Sequence, residues 1–379
     1  MLLIIYYSVY VITFAIYSYT QIDLNLTISA NTLYQRIQQG LIQVGYFQRP
    51  LSSAFFLIIL FLSYTGYCLL LCAAFKHKIS GKNLAILVII SSFLVFAYPA
   101  FSHDLFNYIF DGRIVIHYGL SPSFFKALDF PDDTWVRFMH WTHRYYPYGP
   151  FWLWLTLIPS YIGLNKFVWT LTLFKLTFLA FHLCNIWLIL KIARIINSRH
   201  HYANVIFYAF NPLILIESLI SPHNEVVMLT FTLLGLYFLL RNRIVLFVLA
   251  IILSVGIKYI SFIILPWSWI VNRSSKYYLT SLWWLWMLCL FPLYLSREPY
   301  SWYFIPIIGL CAISTRFKWL ALITISLSLG LLIRYFPILL FGEYSAVTRY
   351  YQEISFLGAT LVIGLILFIG KKQYLSWEN

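Results

Sequence analysis

Charged residues are scarce in this sequence: only 10% of its 379 residues are charged, whereas 61% are hydrophobic. A soluble domain of this size needs more charge, because its surface would otherwise consist of large apolar patches. Repeated apolar runs of roughly 17–25 residues instead match the length that a helix needs to cross a bilayer core. The composition therefore excludes a soluble protein and predicts an all-α polytopic membrane protein.

Acidic residues are the rarest charged class, 12 against 26 basic residues, which gives a formal net charge of +14. Such an excess is also typical of nucleic-acid-binding proteins, but here the basic residues form short clusters between apolar runs. That distribution is the one described by the positive-inside rule, with a contribution from anionic lipid. We therefore expect the lipid bilayer, and no nucleic acid, as a partner.

Cysteine is also rare, and its five residues all fall inside apolar runs. Cys68 and Cys72 are four residues apart and would share a helix face, which is also a spacing for metal ligands. Small buried side chains explain them better, because free cysteine behaves as a small apolar residue. No disulfide framework is expected.

The apolar runs show no internal repeat. The first run carries no charge before Asp23 and lacks the basic start and small-residue cleavage site of a secretory signal, so we expect a retained helix. We predict one transmembrane catalytic domain over residues 1–379. Its candidate membrane segments are residues 2–19, 52–75, 84–100, 150–164, 167–192, 203–220, 225–240, 244–270, 278–295, 301–314, 317–337 and 354–370.

Basic clusters between these segments predict the topology. The cluster at residues 76–82 is expected inside, which places residues 101–150 outside. Twelve complete crossings would put the clusters at residues 191–201 and 241–243 outside. A short re-entrant or surface helix at residues 150–164, with one incomplete segment later, returns them to the inside. We therefore expect about ten to twelve crossings with both ends cytoplasmic.

Residues 101–151 differ from the rest of the chain, because they are too polar to lie in lipid. They contain five of the 12 acidic residues, four basic residues and fifteen aromatic ones. A stretch rich in charge and in ring faces, held between membrane segments, is suited to chemistry on a polar substrate beside a membrane. We predict that residues 101–150 form a long external active-site loop after the third membrane segment.

The beginning of this loop predicts an amphipathic helix from Asp104 to Tyr118. Asp104, Tyr108 and Asp111 then lie at positions i, i+4 and i+7 on one face. Its two carboxylates would be about 10 Å apart, too far to act together on one ion or one bond. Asp104, at the mouth of the third segment, is the candidate general base. The alternatives are that Asp104 caps the helix and that Asp111 is solvated or paired with Arg113.

A set of motifs extends over about residues 100–310. They are DLFNY at 104–108, GR at 112–113, GLSP at 119–122, YPYGP at 146–150 before Phe151 and Trp152, NPL at 211–213 with Glu217, HNE at 223–225, GIKY at 256–259 with LP at 265–266, and PYSWY at 299–303. In order and spacing they resemble the GT-C glycosyltransferases that use polyprenyl-phosphate sugars. More narrowly, they resemble the polyprenol-phosphomannose-dependent mannosyltransferases of bacterial envelopes.

The resemblance implies a GT-C fold and inverting transfer of a hexose, with mannose as the expected sugar. It also supports Asp104 as the general base, since Asp104 occupies the family's catalytic position. Two residues depart from the family pattern. Ser123 stands where the family usually has an aromatic residue, which bears on the sugar pocket. Glu225 stands where the family has Asp, and it keeps the charge with a longer reach.

Outside the cell there are no nucleotide sugars, so an external transferase must take its sugar from a lipid carrier. The leaving group is then a lipid monophosphate, whose departing charge needs cations or hydrogen-bond donors. The candidates are Arg113, Arg144, Lys258 and Arg297. Lys258 lies in an apolar run, where an ionisable residue is a functional candidate by default. Snorkelling to the interface is its alternative.

Asp111 is also assigned to donor binding, and five further positions complete the predicted substrate-binding set. His223, Asn224 and Glu225 lie between two apolar runs and are expected to bind sugar hydroxyls or to hold the loop. A plain turn or a weak metal site are the alternatives. Tyr148 is expected to stack on a sugar, with an interfacial aromatic belt as its alternative. Tyr300 is included in the set because it belongs to the PYSWY motif that carries the family resemblance.

No metal site and no obligatory cofactor are predicted, although a divalent cation is possible. Asp129, Asp132 and Asp133 form an acidic cluster that could hold such a cation. A solvated turn around Pro131 explains this cluster better.

We therefore expect an enzyme of the plasma membrane that transfers a hexose from a polyprenyl-phosphate donor to an acceptor glycan or glycolipid on the external face. One alternative is the same fold with another sugar, such as glucose or arabinofuranose. Another is a transporter or flippase of lipid-linked saccharides. Transporter sites tend to lie at the bilayer midplane between repeats, whereas the acidic residues here concentrate in one external loop. A catalytically inactive scaffold of the same fold is a third.

Overall fold

The computed structural model describes residues 2–196, 198–271, 277–296, 298–314 and 318–369. Within these ranges all regular secondary structure is helical, which confirms the prediction of an all-α protein. The α-helices are α1 (Leu2–Ser18), α2 (Thr32–Ile42), α3 (Arg49–Phe75), α4 (Gly81–Ser92), α5 (Asp104–Ile116), α6 (Pro150–Ile162), α7 (Phe167–Ile195), α8 (His201–Ala209), α9 (Pro212–Leu215), α10 (Glu225–Leu240), α11 (Ile244–Val255), α12 (Ile264–Ile270), α13 (Tyr278–Ser296), α14 (Ile305–Ile313), α15 (Lys318–Ile333), α16 (Tyr335–Phe341) and α17 (Ala346–Ile369).

Several helical stretches in the described ranges are long and apolar enough to cross a membrane. The longest has 29 residues, or about 43 Å at 1.5 Å per residue, which exceeds the ~30 Å hydrocarbon core. Helix α8 and the stretch Pro212–Ile220 would add another span, bent by 52°. Other apolar helices have only 10–17 residues, so ten to twelve crossings and the sidedness of the loop stay predictions. The four long stretches are Leu2–Gln21, Arg49–Phe75, Phe167–Ile195 and Trp319–Phe341.

The middle of the molecule consists of helices that are buried on all sides. Every residue of α14 is buried, and so is every residue of α8 from Ala203 to Ala209. Helix α10 packs against α7, α11 and α14, and α3 packs against α1, α8 and α16. Helices that are apolar all round are stable in such an environment. They form the frame on which the polar residues are held.

A break in the chain after α8 carries polar residues into this frame. Asn211 caps α9 with its side-chain oxygen, and Pro212 follows as the first helical residue. The chain continues through a wide helical turn, Ile216–Ile220, whose last two carbonyls accept hydrogen bonds from the Lys175 ammonium of α7. Such carbonyls at a helix end need partners when they are buried. Residues 221–224 are thereby fixed inside the protein.

The helix predicted over residues 104–118 is present as α5, Asp104–Ile116, and it is covered on most of its surface. Nine of its 13 residues are buried. Helices α6 and α7 pack against it, and the following loop folds back over it, with Phe130 against Phe110 and Phe138 against Phe106. The aromatic residues of the loop therefore serve in part as a cover for α5.

Candidate active site

A cavity of about 390 Å³ lies between six separate stretches of the chain. It brings together four of the predicted site residues, namely Asp104, Tyr148, Glu225 and Lys258. Most of the remaining lining is apolar or aromatic. A concave, largely apolar site with a few converging polar groups is typical of small-molecule binding. We call this space the polar cavity.

Asp104 is the first residue of α5 and stands at the wall of the polar cavity, with its side chain 16% exposed. Its backbone N–H donates to Ser102 Oγ at 3.2 Å. The N-cap position belongs to His103, so the alternative of Asp104 as the N-cap is wrong. A carboxylate in the first helical turn is stabilised by the helix dipole. Asp104 thus presents an accessible carboxyl group to the cavity.

Lys258 and Glu225 form an ion pair in the same wall. Glu225 is the first residue of α10, and its side chain is only 2% exposed, so it needs a partner of opposite charge. The Lys258 ammonium also lies 5.7 Å from the ring centroid of Tyr148 and 5.3 Å from that of Tyr303. These contacts hold the ammonium at the cavity and favour the functional interpretation of Lys258 over snorkelling.

Two glycines bring Tyr148 beside Lys258. The Gly149 N–H donates to the Ile257 carbonyl at 3.1 Å. A Cβ atom on Gly149 would lie 2.3 Å from the Gly256 carbonyl oxygen, a distance at which the two backbones would have to move apart. The YPYGP and GIKY segments therefore meet through their backbones, and only glycine allows this approach.

We expect Gly149→Ala to lower the melting temperature of the detergent-solubilised protein, because overpacking of this kind costs about 1–3 kcal/mol. Gly40→Ala is the matched control, since a Cβ atom there meets nothing within 4 Å. It should leave the melting temperature unchanged or raise it slightly, because alanine favours the helix. Equal melting temperatures for the two variants would contradict the proposed contact.

Asp111 is buried in α5 and is paired with Arg144, not with Arg113. Its Oδ2 accepts a hydrogen bond from Arg144 Nη2 at 3.0 Å. Burial raises the pKa of Asp111 to about 6, although the charge and hydrogen bond of Arg144 act in the opposite direction. The Arg144 guanidinium lies 5.4 Å from the Tyr148 ring centroid. Neither Asp111 nor Arg144 lines the polar cavity, so their role in donor binding stays a prediction.

Arg113 organises the loop that follows α5. Its Nε donates to Asp133 Oδ2 at 2.5 Å, and its guanidinium lies 4.1 Å from the Trp135 ring centroid. Burial would raise the pKa of Asp133, but hydrogen bonds from Arg113, the Trp135 backbone and Tyr118 lower it overall. Asp133 is therefore a buried structural partner and not part of a solvated turn. Arg113 does not line the polar cavity, and its role in donor binding stays a prediction.

His223 connects Asp104 to a carboxylate outside the predicted set of site residues. Its Nε2 lies 3.0 Å from Ser102 Oγ and 3.7 Å from Asp104 Oδ2. Its Nδ1 lies 3.0 Å from Oε2 of Glu217, which is fully buried. The sequence signal for Glu217 is an ionisable residue inside the apolar run at residues 203–220. Motif matching alone gave it no role.

The remaining predicted residues lie around this centre. The Tyr300 ring stacks on Trp302 at 4.5 Å, and Trp302 stacks on His223 at 4.1 Å. Asn224 is fully buried, and its side-chain amide has no hydrogen-bond partner among the described residues. Arg297 lies outside the described residues. Sugar or donor binding by Tyr300, Asn224 and Arg297 stays a prediction.

A second cavity, of about 230 Å³, adjoins the first and is lined mainly by apolar side chains. It is formed by residues of α13, α15 and α17 and of the stretch at residues 298–304. Leu290, Leu293 and Tyr303 line both spaces. We call it the apolar cavity. The polar and the apolar cavity are therefore neighbours with part of their lining in common.

Asp23, His103 and His140 bring three possible metal-ligating atoms within 4.8 Å of one another. The two imidazole rings are stacked, with centroids 3.6 Å apart and an interplanar angle of 17°. The lone pair of a ligating nitrogen lies in its ring plane, so nearly parallel planes at this separation do not meet at one ion. This group of three residues therefore gives no argument for a metal ion, and the prediction that the protein has no metal site stays a prediction.

Comparisons with known proteins support the motif-based resemblance. A family model described as "Alpha-(1->6)-mannopyranosyltransferase, N-terminal domain" matches residues 28–273. The protein "Alpha-(1->6)-mannopyranosyltransferase A" of Corynebacterium glutamicum is 29% identical over 175 residues, which cover 46% of this chain and 35% of that relative. The aligned part thus spans about a third of the relative's length. No solved structure matches this chain.

Proposed function

This chain belongs to the alpha-(1->6)-mannopyranosyltransferase family, and from that premise we propose that it transfers mannose from a polyprenyl-phosphate donor to a glycan or glycolipid. It is GT-C mannosyltransferase-like, as the motifs indicated. The relative's printed name supports mannose as the sugar and an α-(1→6) bond as the linkage. Both are part of the proposal for this chain.

The observation that carries the proposal is the junction of the two cavities. The polar cavity presents a carboxylate and an ammonium, Asp104 and Lys258. The apolar cavity adjoins it, and Leu290, Leu293 and Tyr303 line both. A donor with a charged sugar-phosphate head and an isoprenoid chain needs both compartments. A nucleotide sugar has no apolar chain and would leave the second one without a ligand.

In the proposed reaction Asp104 is the general base. Its carboxylate takes the proton of an acceptor hydroxyl, and the hydroxyl oxygen attacks C1 of the donor sugar. The bond between C1 and the phosphate oxygen breaks, and its electron pair leaves with the lipid monophosphate. Attack opposite the leaving group inverts the configuration at C1. No metal ion or other cofactor takes part in this scheme.

Lys258 stabilises the charge that develops on the leaving phosphate. An ammonium is a compact charge that can turn toward a phosphate oxygen. Glu225 and the rings of Tyr148 and Tyr303 hold it in place before the reaction. A preorganised cation of this kind stabilises a transition state more than a mobile one.

We place the reaction at the external face of the plasma membrane. The basic clusters predict cytoplasmic loops on the opposite side of the bilayer from residues 101–150. A lipid-linked donor is also the form in which an activated sugar is available outside the cell. The bilayer, the lipid donor and the acceptor are the partners of this reaction.

The test uses the purified full chain in nanodiscs with a glycolipid extract from bacterial envelopes. Mannose, glucose and arabinofuranose are offered separately on the same polyprenyl phosphate, each with a radiolabelled sugar. We expect label to enter glycolipid from the mannose donor. Transfer from another of the three sugars instead would correct the substrate. Movement of intact lipid-linked sugar across vesicles, without transfer, would replace the proposal by the transporter alternative.

A further inference from the structure

Glu217 is a fully buried carboxylate that neighbouring side chains hold at both oxygens. Its Oε1 accepts hydrogen bonds from the Ser301 hydroxyl at 2.7 Å and the Tyr335 hydroxyl at 2.9 Å. Its Oε2 lies 3.0 Å from His223 Nδ1, an ion-pair contact, and in the described ranges neither atom makes a well-aligned hydrogen bond. A buried carboxylate without such partners would be strongly unfavourable. Glu217 does not line the polar cavity, so it acts there only through His223.

His223 lies between two carboxylates and is itself fully buried. Its Nε2 faces Asp104 Oδ2 at 3.7 Å, and its Nδ1 faces Glu217. One face of the ring is covered by Trp302, at an interplanar angle of 11°. Aromatic faces attract cations, so this stack favours a protonated imidazole. Because the ring does not line the polar cavity, it acts on the reaction only through a neighbour.

The charges around the ring also favour the protonated form. Burial by itself lowers the pKa of His223, but the hydrogen bond and charge of Glu217 and the charges of Asp104 and Glu225 raise it overall. Glu225 is paired with Lys258. The ring is therefore the positive group that faces both Glu217 and Asp104.

The other titratable groups near Asp104 and His223 are engaged elsewhere or neutral. His103 precedes Asp104 in the chain, and burial lowers the pKa of its ring to about 3, so it carries no charge near neutral pH. Arg144, on the loop, is hydrogen-bonded to Asp111. Lys175, on α7, donates to the two carbonyls that end the turn Ile216–Ile220.

We propose that Glu217 keeps His223 as an imidazolium, and that this imidazolium positions the catalytic base Asp104 and holds it as a carboxylate. Glu217 and His223 are thus positioning residues that act through Asp104. In this arrangement Asp104 and Glu217 share one cation, the imidazolium of His223. If the ring loses its proton, the two carboxylates are left without a counter-charge between them. The inference rests on the proposed function, in which Asp104 is the base.

The sign of the pH dependence follows from this arrangement. The active form contains the protonated His223 ring, so activity is lost as pH rises through the pKa of that ring. Glu217→Gln keeps the shape of the side chain but removes the charge that raises this pKa. The basic limb of the pH profile should therefore move to lower pH by about 1–3 units. One pH unit above the midpoint of its basic limb, the Glu217→Gln variant should have a kcat/KM about tenfold below its own plateau value.

The experiment measures kcat/KM against pH for the full chain in nanodiscs, with the polyprenyl-phosphate sugar that the wild type uses. Tyr335→Phe is the matched control, because it removes a hydrogen bond to Glu217 but leaves the charge, and its basic limb should stay in place. His223→Gln should lack this limb, and adding Glu217→Gln to it should cause no further loss, since the two act as one unit. Melting temperatures show whether each variant is folded.

The outcomes separate this inference from the proposed function. A uniform loss at every pH in Glu217→Gln, with the limb unmoved, overturns the inference and leaves Glu217 as a purely structural residue. Additive losses in the double variant, or a wild-type limb that persists in His223→Gln, also overturn it. If Asp104→Asn transfers sugar as fast as the wild type, the proposed base itself is wrong.

Discussion

Asp104→Asn is expected to slow sugar transfer by roughly 10²–10⁴-fold, the range that a general base contributes. The amide has nearly the same shape as the carboxylate but cannot take a proton from the acceptor hydroxyl. Since Asp104 stands at the cavity wall with its side chain partly exposed, the substitution should leave the fold and donor binding largely intact. The loss should therefore appear in kcat, measured with radiolabelled donor under saturating conditions.

Asp132→Asn is the matched control for Asp104→Asn. Asp132 is an exposed carboxylate of the loop that follows α5 and does not line the polar cavity. The same chemical change there should leave kcat within about twofold, because exposed substitutions rarely alter a distant site. Full activity in Asp104→Asn would remove Asp104 from the mechanism and direct attention to Asp111 and Glu225.

Lys258→Gln is expected to lower kcat/KM by about 10²–10³-fold, as the loss of one preorganised charge-stabilising group does in other enzymes. Two effects act together. The leaving phosphate loses its cation, and Glu225 is left as a buried carboxylate without its partner. Lys258→Arg keeps the charge and should retain part of the activity, since the guanidinium is larger and has a fixed geometry.

Arg137→Gln controls for the loss of a positive charge. Arg137 is exposed and donates to the carbonyl of Thr134 in the loop that follows α5. Its substitution should leave kcat/KM close to the wild-type value. If Lys258→Gln behaved as Arg137→Gln does, Lys258 would not stabilise the leaving group. A joint decrease in the melting temperature and activity of Lys258→Gln, with Lys258→Arg restoring both, would assign its main effect to the Glu225 pair.

The departure from the family at Glu225 has a physical consequence. Where the family pattern has Asp, the longer Glu side chain pairs with Lys258 from the first turn of α10. A carboxylate at a helix N-terminus is favoured by the dipole, and here it also fixes the ammonium at the cavity wall. Glu225 therefore keeps the negative charge of the family's Asp, and its longer side chain reaches farther along the cavity wall.

The sequence was sufficient for those features that depend on local pattern and composition. Apolar runs predicted a helical membrane protein, and the acidic loop with its motifs directed attention to Asp104. The start of α5 at Asp104 follows the predicted helix start. Lys258 was identifiable because a charge inside an apolar run is costly unless it has a partner.

The features that the sequence left open depend on long-range packing. Asp111 pairs with Arg144, 33 residues away, although Arg113 is its neighbour in sequence. The predicted amphipathic helix is covered on its outer side by aromatic residues of its own loop, which no helical periodicity indicates. The contact of Glu217 with His223 depends on the break at residues 211–224, where chain direction and burial are set by surrounding helices.

The proposed function is tested most directly by counting the lipid product of the reaction. Purified protein in nanodiscs is given polyprenyl-phosphate mannose and acceptor glycolipid, and mass spectrometry measures polyprenyl phosphate and mannosylated acceptor together. We expect the two products to appear in a one-to-one ratio with the wild type, and neither to appear at a comparable rate with Asp104→Asn. Mannosylated acceptor without a matching amount of polyprenyl phosphate would contradict transfer from a lipid monophosphate carrier. The same conclusion would follow if the donor stayed intact in the presence of folded wild-type protein.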